Sequence, residues 1–374
     1  MMRALIFLIV LRGLAGCGGQ TPPEVNPTPT VSPVATRQPT LLPTSPITET
    51  SQPAPTGMVP VTGDSTPTLS PLKTEPQIQE YPVPPGSHPH DVAPAPDGTV
   101  WYTAQATGEL GRLDPATSTT KHIPLGPGSA PHGVIVDPDG APWITDGGLN
   151  AIVRVDPDTF TVKVYPLPAG QKNANLNTAV FDASGILWFT GQSGVYGRLD
   201  PASGEVIVYP APRGSGPYGI ASLPDGSVYY ASLANNHIAR INPQDGSVTV
   251  IDPPTANQGS RRVWGDSSGR IWVSEWNAGK VAVYNPADGS WREWKLPGSR
   301  PLAYAVYVDD QDKVWLSDFG ADSLTRFDPV QETFTVFPLP SKNGSVRQIQ
   351  GRPGEVWGAE SGVDKLVVIH TSGQ

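Results

Sequence analysis

The chain has a single cysteine, Cys17, in 374 residues, so no intramolecular disulfide can form and apolar packing must carry the fold. Charge is also scarce: Asp, Glu, Lys and Arg make up 16% of the residues, and the formal net charge is −9. A sequence-independent nucleic-acid binder needs a basic face, and the acidic balance argues against that class. The apolar run Ala4–Leu11 is too short to cross a bilayer as a helix. Also missing are a Gly-x-Ser-x-Gly elbow, a P-loop, a dinucleotide fingerprint and any Cys/His zinc spacing. What the chain has in quantity is turn formers, 40 glycines and 44 prolines, which suits an all-β protein with many tight turns.

The N-terminus has the layout of a secretory signal, with Arg3 before Ala4–Leu11 and Leu14-Ala15-Gly16-Cys17 after it. Leu-Ala-Gly-Cys resembles a bacterial lipobox, in which the Cys becomes the lipid-modified first residue. The expectation is a lipoprotein signal over 1–17 with Cys17 lipidated, placing the protein in the cell envelope with an acyl anchor as its membrane contact. An ordinary signal with a chance Cys is the alternative. Residues 18–76 are dominated by Pro, Thr and Ser and lack the periodic apolar residues that offset ordering entropy. They read as a disordered, partly polyproline-II tether.

From residue 77 a single pattern recurs. An apolar run enters, a turn that is often D-G reverses it, and a second run carrying Trp leaves, as in Pro131–Asp146. The Trp or its substitute stands at Trp101, Trp143, Trp188, Tyr229, Trp272, Trp315 and Trp357, in steps of 42, 45, 41, 43, 43 and 42 residues. A period of about 40–45 is one four-stranded propeller blade. Each of the first six copies then carries a strand ending in Asp/Asn-Pro and an outer strand ending in Pro, where the missing N–H ends the ladder. The last copy stops one strand short, and a spare outer-type strand, Gln77–Pro84, precedes the first. The predicted fold is all-β over 77–374, a seven-bladed β-propeller whose last blade is completed by the N-terminal strand.

Two positions per copy are candidates for chemistry. Eleven residues before the Trp position stand His90, His132, Asn177, Tyr218, Arg261, Tyr304 and Val346. Three residues after it stand Ala104, Asp146, Gly191, Ser232, Glu275, Asp318 and Glu360. If the blades superpose, each set forms a ring, and the first reads as a channel-mouth surface. Glu275, Asp318 and Glu360 in consecutive blades suggest a cation site, against the simpler reading of solvated turns. His88 and His90 have chelating spacing, weakened by Pro89. Arg261, Arg262 and Arg347 are a candidate basic patch for an anionic ligand, against salt bridges with nearby acids. Trp276, Trp291 and Trp294 lie outside the Trp register and are either an aromatic surface or blade packing. His122 and His237 read as incidental.

The repeat P-[HY]-G-I-x(4)-D-G-x-[VI]-W-[FY]-T with its Arg-[Ile/Leu]-[Asp/Asn]-Pro and Tyr-Pro-Leu-Pro pieces resembles the virginiamycin B lyase family of streptogramin-lyase-like propellers, over about residues 77–370. The resemblance implies β-elimination of an ester oxygen in a cyclic depsipeptide, with Mg²⁺ stabilising the enolate. Carried over by position, it makes His132 the general base, His90 a substrate contact and Asp146 a Mg²⁺ ligand. Asn177, Tyr218, Arg261 and Tyr304 would line the substrate funnel. Ala130 stands where the family has a metal-binding Glu, so one ligand is absent. Two readings follow: a lipid-anchored C–O lyase, or a non-catalytic surface propeller for a peptide, glycan or protein partner. In either case the chain is expected to be a monomer with its ligand in the central funnel.

Overall fold

The computed structural model describes residues 77–371. The lipobox-like segment, Cys17 and the tether to residue 76 lie outside the described residues. Among the described residues, 28 strands form seven four-stranded antiparallel sheets. Six sheets take their strands consecutively, over 89–124, 131–166, 176–210, 217–251, 260–295 and 303–338. These are blades 1 to 6. Blade 7 takes Val346–Arg352, Glu355–Glu360 and Lys365–His370, and its outermost strand is Gln77–Pro82. The fold is the seven-bladed propeller that the repeat predicts, and the N-terminal strand pairs with the last strand from Gln77↔His370 to Pro82↔Lys365.

The repeat chemistry is visible in each blade. The turn after the Trp strand needs a left-handed residue, and Gly108, Asn150, Gly194, Asn236, Gly279, Asp322 and Asp364 supply positive φ there. In four blades the indole N–H donates to an Asp six residues earlier, at 2.8 Å: Trp143 to Asp137, Trp188 to Asp182, Trp272 to Asp266 and Trp315 to Asp309. That bond ties the Trp strand to the first residue of the turn that precedes it. Blade 1 has Ala95 at this place, and the Trp101 N–H is buried without a partner.

The inner strands are not regular. In blade 1, Pro89↔Ala104 is followed by Val92↔Tyr102, so the inner strand carries one residue more than its partner. The same slip occurs in all seven blades. A bulge of this kind bends the strand and re-aims side chains. Here two successive residues per blade reach toward the axis.

Closure packs as well as pairs. Tyr81 is buried and stacks on Trp357 with ring centroids 5.5 Å apart. Tyr81 and Val83 share one core cluster with Trp357 of blade 7 and Val92, Val100 and Tyr102 of blade 1. Glu80 accepts from Lys365 and Ser341, joining the N-terminal strand to blades 7 and 6. Tyr81→Ala should therefore cost about 3–5 kcal/mol in urea unfolding, as for other large aromatic truncations. A loss below about 1 kcal/mol would show that closure contributes little to stability.

Candidate functional site

The bulges bring a polar cluster to the axis. His90 Nδ1 lies 2.8 Å from the Asp91 carboxylate, so Nδ1–H donates and Nε2 is the basic nitrogen. Arg262, from blade 5, donates to both oxygens of Asp91 across the channel, at 3.0 and 3.4 Å. Arg262 also donates to Thr178 Oγ1 in blade 3 at 2.8 Å. Gln348 of blade 7 accepts from the Val92 N–H. These contacts fill the channel between blades 1, 3, 5 and 7.

His132 packs on His90 with ring centroids 3.7 Å apart. Its Nδ1 lies 3.0 Å from the Asn177 carbonyl oxygen, which can only accept, so this nitrogen too carries the proton. Its Nε2 accepts from the Asn177 amide at 3.2 Å. His90 and His132 are 3% and 7% exposed. Burial, then the charges of Arg262, Arg347 and Arg261, hold the His90 pKa well below the ordinary imidazole range. Burial and His90 do the same to His132, with Asp91 opposing. Both rings are neutral at pH 7. Burial raises the Asp91 carboxyl, and Arg262 pulls it back.

Beside the imidazoles, Tyr218 and Tyr304 share a 2.7 Å hydrogen bond. Arg261 donates to the Tyr218 hydroxyl at 2.9 Å and lies 3.6 Å over the Tyr304 ring. Trp276 and Phe319 pack edge-on and face-on against Tyr304. Burial would raise the Tyr304 hydroxyl, but Arg261 and Arg262 outweigh it and bring it below the ordinary phenol value.

The structure thus brings together His90, His132, Asn177, Tyr218, Arg261 and Tyr304, but as a packed cluster rather than an open surface. Several expectations need correction. The blade 7 member is Arg347, not Val346: this blade has one residue fewer before its Trp, and Val346 packs in the core. Asp146 is a loop cap. Its Oδ1 accepts from the N–H groups of Ala130, Gly148 and Leu149, and its Oδ2 from Ser129. Asp318 accepts from Leu302 and Gly320 in the same way. Glu275, Asp318 and Glu360 form no metal cluster among the described residues. His88 turns to the Ser361 carbonyl at 3.2 Å, away from a chelate with His90. Trp291 and Trp294 pack on Tyr284 and Trp272, so of the three off-register tryptophans only Trp276 joins the site. His122 is held between Glu109 and Tyr102 in the outer part of blade 1, and His237 donates to Asn235.

Asp91, Thr178 and Gln348 are site residues that sequence reasoning missed. Their signal was a position where other blades have Gly133, Gly219 or Ala305. The residues present do not fit Mg²⁺. Ala130 offers no side-chain oxygen, and Asp146 is occupied by its own loop. The one candidate cluster among the described residues, His90, Asp91 and His132, has ligand atoms within 4.8 Å of one another. Two nitrogens and one oxygen suit a borderline transition metal better than Mg²⁺, and Arg262 already neutralises Asp91.

The family model described as the virginiamycin B lyase family matches residues 46–300. No curated protein matches the chain. Among solved structures, a catalytically inactive His-to-Ala form of virginiamycin B lyase from Staphylococcus aureus, with quinupristin, is 21% identical. It has a TM-score of 0.73 and covers 79% of this chain and 99% of its own. A streptogramin B lyase is 24% identical with a TM-score of 0.72, covering 79% and 97%. YCF48 bound to D1 peptide is 15% identical with a TM-score of 0.63, covering 79% and 96%. At these identities the likeness is one of fold.

Two measurements follow from the buried charges. Removing one partner of a buried ion pair strands the other, so Asp91→Ala should cost about 3–5 kcal/mol. The Asp91→Ala/Arg262→Met double variant should recover most of that loss in urea unfolding. Equal losses in the single and double variants would mean that the pair is not coupled. Separately, Glu275 and Glu360 are 0% exposed with both oxygens unpartnered, and burial raises each pKa to about 8. The unfolded value is 4.5. Their stabilising contribution is full below the unfolded value and is lost as pH rises toward the folded one. A Glu275→Gln/Glu360→Gln chain should show a flatter melting temperature between pH 5 and pH 8, about the interval between those two values. Parallel profiles for parent and variant would show that the carboxyls are solvated.

Proposed function

The chain belongs to the virginiamycin B lyase family, and from that premise we propose that its channel cluster is the site of a C–O lyase acting on a cyclic depsipeptide ester. The observation that carries this reading is the pair of neutral imidazoles 3.7 Å apart, each with its tautomer fixed by a neighbour. A neutral, oriented imidazole is what general-base removal of an α-proton needs. In the reaction the base takes that proton, the C–H electron pair becomes the new C=C bond, and the β C–O bond breaks with its pair on the leaving oxygen. The ring opens without change of mass.

His132 is the base by position in the family. His90 has the stronger orienting dyad, with Asp91 behind Nδ1 and Arg262 behind Asp91. The two imidazoles act as a unit, one as base and the other holding the leaving group or the substrate carbonyl. Asn177, Tyr218, Arg261 and Tyr304 are the substrate contacts. No step is assigned to Mg²⁺. As part of the same proposal, Cys17 carries the lipid that anchors a monomeric propeller to a membrane on its extracytoplasmic side.

A second reading is favoured by burial. At 3% and 7% exposure the imidazoles meet a substrate only if the Tyr218–Tyr304–Arg261 cluster yields. A non-catalytic propeller binding a peptide, glycan or protein at that mouth needs no such opening.

Mass spectrometry of a type B streptogramin incubated with the purified chain separates the readings. The lyase should give a ring-opened product of unchanged mass that elutes apart from the substrate. His132→Ala and His90→Ala should each lower the rate at least about a hundredfold, the usual size of a general-base contribution. A gain of one water would indicate ester hydrolysis instead. No conversion would leave the binding propeller.

A further inference from the structure

We propose that the channel mouth is an oxyanion site that takes a carboxylate, and that Arg261 and Arg347 supply there the positive charge that the family resemblance assigns to Mg²⁺. The proposal rests on reading the mouth as the functional site and names its ligand class.

The first observation is an imbalance of charge. Three guanidinium groups from blades 5 and 7 meet one carboxylate, Asp91, in a chain whose formal net charge is −9. Asp91 is taken by Arg262. Arg261 and Arg347 have no carboxylate within ion-pair distance among the described residues. Both are only half-exposed. A guanidinium drawn partly out of water without a counter-ion is costly unless something restores one.

The second observation is geometric. The Arg261 guanidinium lies 3.6 Å over Tyr304, 4.5 Å over Tyr218 and 4.9 Å over Trp276. Arg347 lies 6.0 Å from the same Tyr304 ring and donates through Nε to Ser361 at 2.7 Å. The aromatic rings thus fix two planar forks around one phenol. Arg261 Nε and Arg262 Nε are buried donors with no partner. Such donors need an acceptor, and a carboxylate offers two oxygens in the plane of a fork. Arg suits this task better than Lys because its donors are pre-arranged.

Burial is the largest cause of the depressed imidazole pKa values, and the guanidinium groups add a positive potential that also brings the Tyr304 hydroxyl down. That potential would act on chemistry as well as on binding. When a base removes a proton next to a carboxylate or carbonyl, negative charge gathers on that oxygen, and fixed guanidinium groups stabilise it without a metal. The proton goes to imidazole Nε2, the electron pair enters the C=C bond, and the β-oxygen leaves with its own pair. No further reactant is needed.

Calorimetric titration of the purified chain in EDTA buffer tests the site directly, with benzoate as the probe and benzamide and inorganic phosphate as comparators. Benzoate should bind, with benzamide weaker by about tenfold or more, the scale of a charge-assisted pair. Arg261→Gln and Arg347→Gln should each weaken benzoate by about tenfold while keeping the parental near-ultraviolet circular dichroism. His132→Ala should abolish turnover in the lyase assay yet keep benzoate binding, so the two proposals fail separately. Equal binding of benzamide, tighter binding of phosphate, a requirement for Mg²⁺, or no benzoate binding would each overturn the carboxylate site. The benzoate–benzamide comparison uses the parent chain alone and stands even if a variant misfolds.

Discussion

The extra residue in each inner strand is the constraint on which the channel depends. In a regular strand His90 and Asp91 would face opposite sides, and the Asp91–Arg262 pair could not span blades 1 and 5. The bulge lets both reach the axis, and the same slip in blades 3, 5 and 7 delivers Thr178, Arg262 and Gln348 to the same layer. The other blades make room for them. A Cβ on Gly133 would lie 2.5 Å from the Asn177 carbonyl oxygen, and one on Gly219 would lie 2.6 Å from the Arg262 Cα. Small residues in some blades are thus the condition for large polar ones in others.

Electrostatics then sorts the layers. At the Asp91 level charge is balanced, with one carboxylate against one guanidinium. Next to it stand two imidazoles kept neutral by burial and by neighbouring cations. Outward from them Arg261 and Arg347 lie over aromatic rings with no ion-pair partner among the described residues. The opposite mouth is different in kind. There a cavity of about 280 Å³ is lined mainly by apolar side chains such as Ile135, Phe181, Ile220 and Trp264. The two mouths are separated by the Arg262–Thr178–Gln348 layer and would admit different chemistry.

The fold was legible because packing and turn chemistry repeat. Seven Trp-type positions and the D-G turns mark the blades, and the spare strand Gln77–Pro84 against a last blade one strand short marks the closure. The first ring was legible too, except at Val346, where a blade one residue shorter shifts the count and Arg347 takes the place. Asp146 looked like a metal ligand because the family resemblance puts an acidic Mg²⁺ ligand at its position. Its oxygens are used by three backbone N–H groups and Ser129, which spacing cannot reveal. The Asp91–Arg262 pair joins residues 171 apart in two different blades, and no periodicity records such a partnership. Repetition tells what blades share, while the site is made of what they do not share.

Closure by the N-terminal strand also sets an order of events during synthesis. Gln77 to Pro82 leave the ribosome before every other strand of the propeller, yet their partners from Lys365 to His370 leave after all of them. Until that last strand arrives this one waits with both ladder edges open, the condition under which a nascent chain pairs with the wrong neighbour. Of its six residues Gln77, Gln79 and Pro82 are exposed and Tyr81 alone is buried, so little of the waiting strand is apolar. The ring becomes cooperative only when the final strand arrives, so a chain cut short near its end loses the closure that fastens its beginning.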